Sequence, residues 1–353
     1  MKAAIIYAHG ELDCVRIGNV AQPEPGAGEV VIQVRSAGLN HLDIWVRKGR
    51  KGVELPMPHI LGSDAAGVVA AVGPDVVDVR VGDEVIINPG LSCGRCEYCS
   101  RGQESLCESF GIVGLSQPGT FAEYVAVPAG NIAPKPAHLS FDEAGGFVLS
   151  YLTAWRMLMT RAQLKPGQKV LIHGIGGGVA LCALNLAKLA EAEVIVTSSS
   201  DEKLARAGQI GADHLINYRT VGDVAARVRE ITSGRGVDIV VDTVGAAAWP
   251  IDSAAVCRGG KIVLCGVTSG PDASTNLQSL YWNQLTIMGS TMGSKEDFRR
   301  MLMAVSAARL RPIIDCVEPL ENIPKAMARM EAGRQFGKIA LRIYPADLPE
   351  NMP

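Results

Sequence analysis

Up to about residue 130 the apolar positions fall in short runs, as in "EVVIQVRSAG" (29–38), "AAGVVAAVG" (65–73), "RVGDEVIINPG" (80–90) and "TFAEYVAVPAG" (120–130). Short Val/Ile runs broken by Gly and Pro predict strands and turns, so this part is expected to be mostly β. Near residue 141 the pattern changes. "SFDEAGGFVLSYLTAWRMLMTRAQL" (140–164) has helical spacing, and Ser140 followed by Glu143 predicts a capped N-terminus.

A regular alternation follows. "KVLIHG" predicts a strand leading to a helix over 178–190, "EVIVTSS" a strand leading to a helix in "DEKLARAGQIG", and "HLINY" a strand leading to a helix in "VGDVAARVREITSG". "VDIVVDTVG", "GKIVLCG" and "LTIMGST" predict further strands, and the tail (313–343) a short helix and a last strand, "GKIALRIY". Apolar strands alternating with helices imply a parallel sheet covered on both faces. The fold class is therefore α/β, with a β-rich part preceding a doubly wound sheet. No internal repeat or low-complexity segment is present.

Composition narrows the class. A length of 353 residues suggests about two domains. The formal net charge of −2, with no basic stripe, gives nucleic acid no electrostatic footprint. The most apolar stretch, 170–190, carries a glycine cluster, Asn185 and Lys188, which suits a buried strand–turn–helix better than a membrane span. The first residues lack the apolar segment of a signal peptide. Of nine cysteines, Cys14, Cys182, Cys257, Cys265 and Cys316 are scattered singly, so a disulfide framework is not expected and a reducing cytosol is.

"HGIGGGVA" (173–180) sits between a predicted strand and a predicted helix. Gly174, Gly177, Gly178, Val179 and Ala180 are candidate cofactor-binding residues. Glycines there admit a pyrophosphate to the backbone, and the helix N-terminus supplies N–H donors and a positive dipole end. Ala180 takes a position that need only be small. An NAD site wants an acid at the end of the second strand, where this chain has Ser198, followed by Ser199. Small hydroxyls leave room for a 2′-phosphate, and Lys203 can add positive charge. NADP(H) is expected over NAD(H), although Asp201 and Glu202 argue the other way.

Cys93, Cys96, Cys99 and Cys107 have the spacing C-x2-C-x2-C-x7-C, with Gly94 and Gly102 letting the chain wrap an ion. Four thiolates make a closed tetrahedral zinc site that stabilises a lobe and leaves no position for substrate. An Fe–S cluster is the rival.

Taken in order, "PEPGAGEVVIQVRSAGLNHLD", "LPMPHILGSDAAGVVAAVG", the cysteine lobe, "HGIGGGVA" and "FGKIAL" resemble the medium-chain dehydrogenase/reductase superfamily, which includes zinc alcohol dehydrogenases and quinone oxidoreductases. The resemblance implies a GroES-like domain over 1–150 plus 291–353, with the zinc lobe at 90–110, and a Rossmann domain over 151–290. It also implies which ligands are missing. Where zinc alcohol dehydrogenases carry Cys, His-Glu and a further Cys or Asp, this chain has Asn40, Ser63-Asp64 and Ser150. Amides and hydroxyls are poor zinc ligands. A substitute site from His41, His59 and Asp64 is the alternative.

Without a Lewis acid, nothing lowers the pKa of a bound alcohol. The expected reaction is hydride transfer from NADPH to a conjugated C=C, in an enone, enal or enoyl thioester such as acryloyl-CoA, or to a quinone. The alternatives are a zinc-dependent NAD(P) alcohol dehydrogenase and an NADPH-binding protein without turnover. Asn40 is the candidate donor, acting on the substrate oxyanion or on the nicotinamide ribose, or a turn residue. The proton is expected from water, with Ser150 and Tyr151 as other candidates. By resemblance Thr153 lies beside the nicotinamide. Val244, Gly245, Cys265, Gly266, Val267, Thr268, Thr291 and Met292 line the cofactor, and Tyr218 borders the 2′-phosphate. Trp45, Tyr281 and Trp282 are candidate cleft residues. "LTIMGST" resembles an edge strand through which dimers pair, so a cytoplasmic homodimer or homotetramer is expected, with a small-molecule substrate.

Overall fold

The computed structural model describes residues 1–49 and 54–344. Two compact units emerge, Met1–Leu149 with Leu302–Pro353, and Ser150–Met301. The return point lies later than residue 291. Asp297, early in the helix Lys295–Ala307, is tied to the second unit by a 2.7 Å ion pair with Arg156 and by a hydrogen bond from Thr160.

The first unit is β-rich and GroES-like. Its largest sheet has seven strands. At its centre the strand Glu29–Gly38 pairs with Asp64–Val72 on one side and with Lys338–Arg342 on the other. In register, Gly38 faces both Asp64 and Ala340, so three distant segments end side by side. A core that includes Val30, Ile32, Val34, Leu61, Phe121 and Ile339 lies against this sheet.

The helical stretch expected over 140–164 is not continuous. Ser140 caps it as expected, accepting from Glu143 N at 3.3 Å while the Glu143 carboxylate accepts from Ser140 N at 2.8 Å. The first helix then covers only Phe141–Gly145, a second runs Val148–Trp155, and π-type turns cover Arg156–Arg161. The break falls where the chain crosses the central strand. A Cβ on Gly145 would lie 2.4 Å from Ser36 O, and one on Gly38 2.6 Å from Gly146 Cα. Backbone meets backbone there, and only glycine fits.

The second unit is a doubly wound Rossmann sheet. Its six strands stand in the order His214–Asn217, Glu193–Ser198, Lys169–Ile172, Val237–Asp242, Val256–Leu264, Thr286–Gly289, and all pair in parallel. The order reverses between Lys169–Ile172 and Val237–Asp242, and ligands of such sheets bind beyond the carboxyl ends of the strands at that point. Val170, Ile195, Val240 and Ile262 are wholly buried, as continuous apolar strands require.

Candidate active site

The turn after Lys169–Ile172 leads into the helix Gly178–Leu189, whose first turn receives no side-chain cap. Gly174 (φ 66°) and Gly176 (φ 117°) adopt left-handed conformations that a side chain disfavours. Gly177, Gly178 and Val179 remain half-buried while Ala180 is packed away. The open N–H groups and the dipole end suit a pyrophosphate. Next door, Ser198 ends its strand buried, its Oγ accepting from Ser200 N at 3.2 Å. Ser200, not Ser199, caps the helix Asp201–Gln209 by accepting from Lys203 N at 3.3 Å. Asp201 is engaged by Asn217 Nδ2 at 2.6 Å. Tyr218, whose N–H reaches Ser198 O at 3.0 Å, is 48% exposed at the same corner.

Across the switch point Asp242 holds the next turn, its Oδ1 accepting from Val244 N at 2.6 Å and Gly245 N at 3.0 Å. Burial raises its pKa to about 6, with the nearby Asp252 carboxylate adding to the effect. Cys265 follows the next strand, and burial pushes its thiol up to about 12, which makes it inert. Gly266 is half-buried, and Val267 and Thr268 are exposed. Thr153 and Met292 are brought together, Oγ1 to Sδ at 3.9 Å, and Met292 has φ 48°. Thr291 beside it is exposed.

One candidate is corrected outright. Tyr151 is fully buried in the second unit, its hydroxyl receives Asn185 Nδ2 at 2.9 Å, and burial drives its pKa far up. It is a packing residue, not a proton donor. Ser150 is also buried. Tyr281 and Trp282, 65% and 67% exposed, stand on the helix Leu277–Trp282 near the edge strand Thr286–Gly289. Trp45 is half-buried, its ring centroid 6.5 Å from that of His41.

Asn40 is the second correction. It caps the helix His41–Lys48, and its own N–H donates to Asp43 Oδ2 at 2.7 Å. Its Nδ2 donates to Gly38 O at 3.2 Å and Asp64 Oδ2 at 3.0 Å, and its Oδ1 accepts from Lys338 Nζ. The amide is thus fully engaged within the protein and is not a donor waiting for substrate. Lys338 Nζ also lies 3.2 Å from Asp64 Oδ2, while Asp64 Oδ1 accepts from Leu149 N at 2.7 Å. Lys338 went unread in the sequence. Its signal was a cation heading an apolar strand after Gly337, whose φ is 114°.

Two buried polar atoms in these segments have no partner, Ser63 Oγ and Asp43 Oδ1. Burial raises the Asp43 pKa to about 7. His59 binds Gly114 O through Nε2 at 3.0 Å, and burial lowers the pKa of both His59 and His41. The substitute ligand set does not assemble. Among the described residues, Cys93, Cys96, Cys99 and Cys107 are the one group of three or more His, Cys, Asp or Glu that converges on a metal position.

Those four ligand atoms lie within 4.8 Å of one another. Cys93 Sγ is 3.9 Å and Cys96 Sγ 3.5 Å from Cys99 Sγ. A tetrahedral zinc with Zn–S of about 2.3 Å sets its thiolates about 3.8 Å apart, so the cluster fits the ion. Gly94 and Gly102, at φ 71° and 69°, make the turns. Backbone N–H groups of Arg95 and Cys96 lower the Cys93 pKa to about 6, toward the thiolate that zinc requires.

Comparison with known proteins places these features. A zinc-binding dehydrogenase family profile matches residues 178–307, and an alcohol dehydrogenase GroES-like domain profile matches residues 26–137. An alcohol dehydrogenase of Geobacillus stearothermophilus is 32% identical over 345 residues, 97% of this chain and 100% of that protein. A crotonyl-CoA carboxylase/reductase of Cereibacter sphaeroides is 31% identical over 91% of this chain and 82% of its own length. The crystal structure of an NAD-dependent alcohol dehydrogenase superposes with a TM-score of 0.94 at 43% identity, covering 98% of this chain and all of that one. Among the described residues, no helix is long and apolar enough to cross a membrane.

Proposed function

Because the chain belongs to the medium-chain dehydrogenase/reductase superfamily, we propose that it reduces a conjugated acceptor with NADPH and without a catalytic metal. The acceptor is an enone, enal, enoyl thioester or quinone. The observation that carries this reading is the chemistry around Asn40. An amide already bonded on both sides, the Ser63 hydroxyl and a buried lysine ammonium offer a divalent cation no thiolate or imidazole and oppose it with a positive charge. A conjugated acceptor carries its own activating carbonyl. The relative named crotonyl-CoA carboxylase/reductase supports a C=C acceptor, while the relatives named alcohol dehydrogenase support the rival reading.

When bound, the nicotinamide supplies the hydride. The chain's part is to hold it. Gly174 and Gly177 to Ala180 receive the pyrophosphate. Ser198, Ser199, Lys203 and Tyr218 take the 2′-phosphate, with no acid at Ser198 to repel it. Val244, Gly245, Cys265 to Thr268, Thr291, Met292 and Thr153 surround the nicotinamide half. Ser150 keeps a minor place as a proton source, and bulk water the major one. The four cysteines carry one structural zinc. The edge strand Thr286–Gly289, with Leu277, Tyr281 and Trp282 exposed nearby, favours a second copy of the chain as partner in a homodimer. A cytoplasmic setting suits its zinc thiolates.

NADPH oxidation against 2-alkenals, crotonyl-CoA, acryloyl-CoA, enones and quinones tests the reading. Turnover with one of these classes, unaffected by a chelator that leaves the cysteine lobe loaded, is expected. Turnover of simple alcohols alone would contradict it.

A further inference from the structure

We infer that His173 is a positioning residue for the cofactor, its imidazole locking the glycine turn, the Ser198 corner and the Val244–Gly245 turn to one another. This role rests on the reading given above, in which those three turns hold the nucleotide.

All the parts belong to the second unit. His173 follows the strand Lys169–Ile172 and immediately precedes Gly174. It is buried, with Nδ1 3.0 Å from Thr197 Oγ1 and Nε2 2.7 Å from Asp252 Oδ1. Thr197 precedes Ser198 in the neighbouring strand, and its carbonyl accepts from Ile175 N, inside the glycine turn, at 2.9 Å. Asp252 lies in the helix Trp249–Ala255. That helix grows out of the third turn, where Gly245 O accepts from Ala248 N at 2.9 Å and from Trp249 N at 3.0 Å. One ring therefore joins three turns that the chain delivers separately.

An ionised Asp252 only accepts, so Nε2 carries the hydrogen. Nδ1 then accepts from the Thr197 hydroxyl, or donates to it once the ring is charged. The bridge survives in either state. Stability alone is a poor reason to keep it. Apolar residues of similar volume often match or surpass a buried ion pair, whose best-attested use is to fix register. The pair is also unsaturated, since Asp252 Oδ2 is buried with no partner among the described residues.

The surrounding charges are few. Asp242, fully buried, ends the strand Val237–Asp242, and Asp252 is the sole charged residue of its helix. Thr197 is neutral, the Cys265 thiol beyond the strand Val256–Leu264 is held protonated by burial, and Lys188, at the far end of the helix Gly178–Leu189, pairs with Asp213 at 2.7 Å. The Asp242 pKa of about 6 is raised first by burial and then by Asp252, and is held back by the Gly245 and Val244 N–H groups and by His173. A bound nucleotide adds negative charge and favours the protonated carboxyl. Affinity is then highest below about pH 6 and falls as pH rises.

The test uses the full chain as wild type, D252N, H173Q and H173A/D252N, with thermal midpoints to verify folding. Fluorescence and competition titrations read dissociation constants for NADPH, NADH and adenosine 2′-monophosphate, which spans only the Ser198 corner. Expected in H173A/D252N are NADPH and NADH binding weaker by about 10-fold or more and adenosine 2′-monophosphate within about 3-fold, with a smaller loss in H173Q, whose amide nitrogen takes the place of Nε2. NADH lacks the 2′-phosphate, which itself titrates near about pH 6, so its affinity is also followed from pH 5.5 to 8.5. The midpoint of that profile is expected to move down in D252N, which loses the carboxylate that raises Asp242, and up in H173Q, which loses the ring that lowers it. A merely structural histidine leaves the midpoint in place, and these two variants decide the matter where H173A/D252N unfolds. Three results overturn the assignment while the cofactor reading stands: dinucleotide affinity within about 3-fold of wild type in folded H173A/D252N, adenosine 2′-monophosphate lost in step with the dinucleotides, or midpoints that do not move in opposite directions. Wild type that binds neither NADPH nor NADH overturns that reading, and the assignment with it.

Discussion

The Lys338 ammonium lies 3.2 Å from Asp64 Oδ2, 274 residues away in sequence, with both groups buried. The sheet register makes this contact. Asp64 and Lys338 each open a strand flanking Glu29–Gly38, and Asn40 leaves that strand two residues after its end.

The cysteine lobe is separable from the chemistry. C107S is expected to lose the bound zinc and about 3 kcal/mol of stability, a fall of roughly 6–12 °C in the thermal midpoint for a unit of this size. NADPH affinity should stay within about 2-fold, because the residues proposed to hold the cofactor belong to the other unit. Metal analysis, calorimetry and fluorescence titration check the three parts.

The proposed preference for NADP(H) rests on Ser198. S198D places a carboxylate where a 2′-phosphate is expected, and like charge at that distance is worth about 2–3 kcal/mol. NADPH binding should weaken by about 30–150-fold while NADH binding holds or improves. Parallel titrations with the two nucleotides read the outcome, and a wild type that prefers NADH would contradict the assignment.

Asp43 should leave a signature in the pH dependence of stability. Its carboxyl has a pKa of about 7 when folded, raised chiefly by burial from an ordinary value of 3.8. Between those values the folded chain holds a proton the unfolded chain has released. Stability therefore falls as pH rises, by up to about 1.4 kcal/mol per unit, and the decline ends above about pH 7. D43N keeps an acceptor for Asn40 N and should remove that component. Urea unfolding of both proteins at pH 5.5, 6.5 and 8 measures it.

His173 stands under the glycine turn, with Nδ1 3.0 Å from Thr197 Oγ1 and Nε2 2.7 Å from Asp252 Oδ1. H173A takes the hydrogen-bond partner from the fully buried Asp252 side chain, and leaving a buried polar group unsatisfied costs about 1–3 kcal/mol. H173A/D252N should recover much of the loss. Denaturation midpoints of the single and double variants decide the matter.

Much of this was legible in the chain. The strand–helix alternation, the glycine turn and the cysteine spacing are local patterns, and each formed as the residues implied. The helical stretch after Ser140 is not one element, because its break depends on Gly145 crossing Ser36, a contact between a helix end and a strand over a hundred residues earlier. Tyr151 was attractive beside Ser150 until its helix turned it into the core. Asn40 was found, but its role changed, since its partners sit 24 and 298 positions away. Lys338 was missed for the same reason. A lysine at a strand start reads as solvated until the register buries it.

The most direct test of the account is the zinc content per chain of the purified wild-type protein and of C93S, measured beside NADPH-dependent reduction of the best conjugated acceptor. One zinc per wild-type chain, none in C93S, and reduction surviving in the folded metal-free variant is the predicted result. A second zinc that remains in C93S and whose removal abolishes turnover would contradict it.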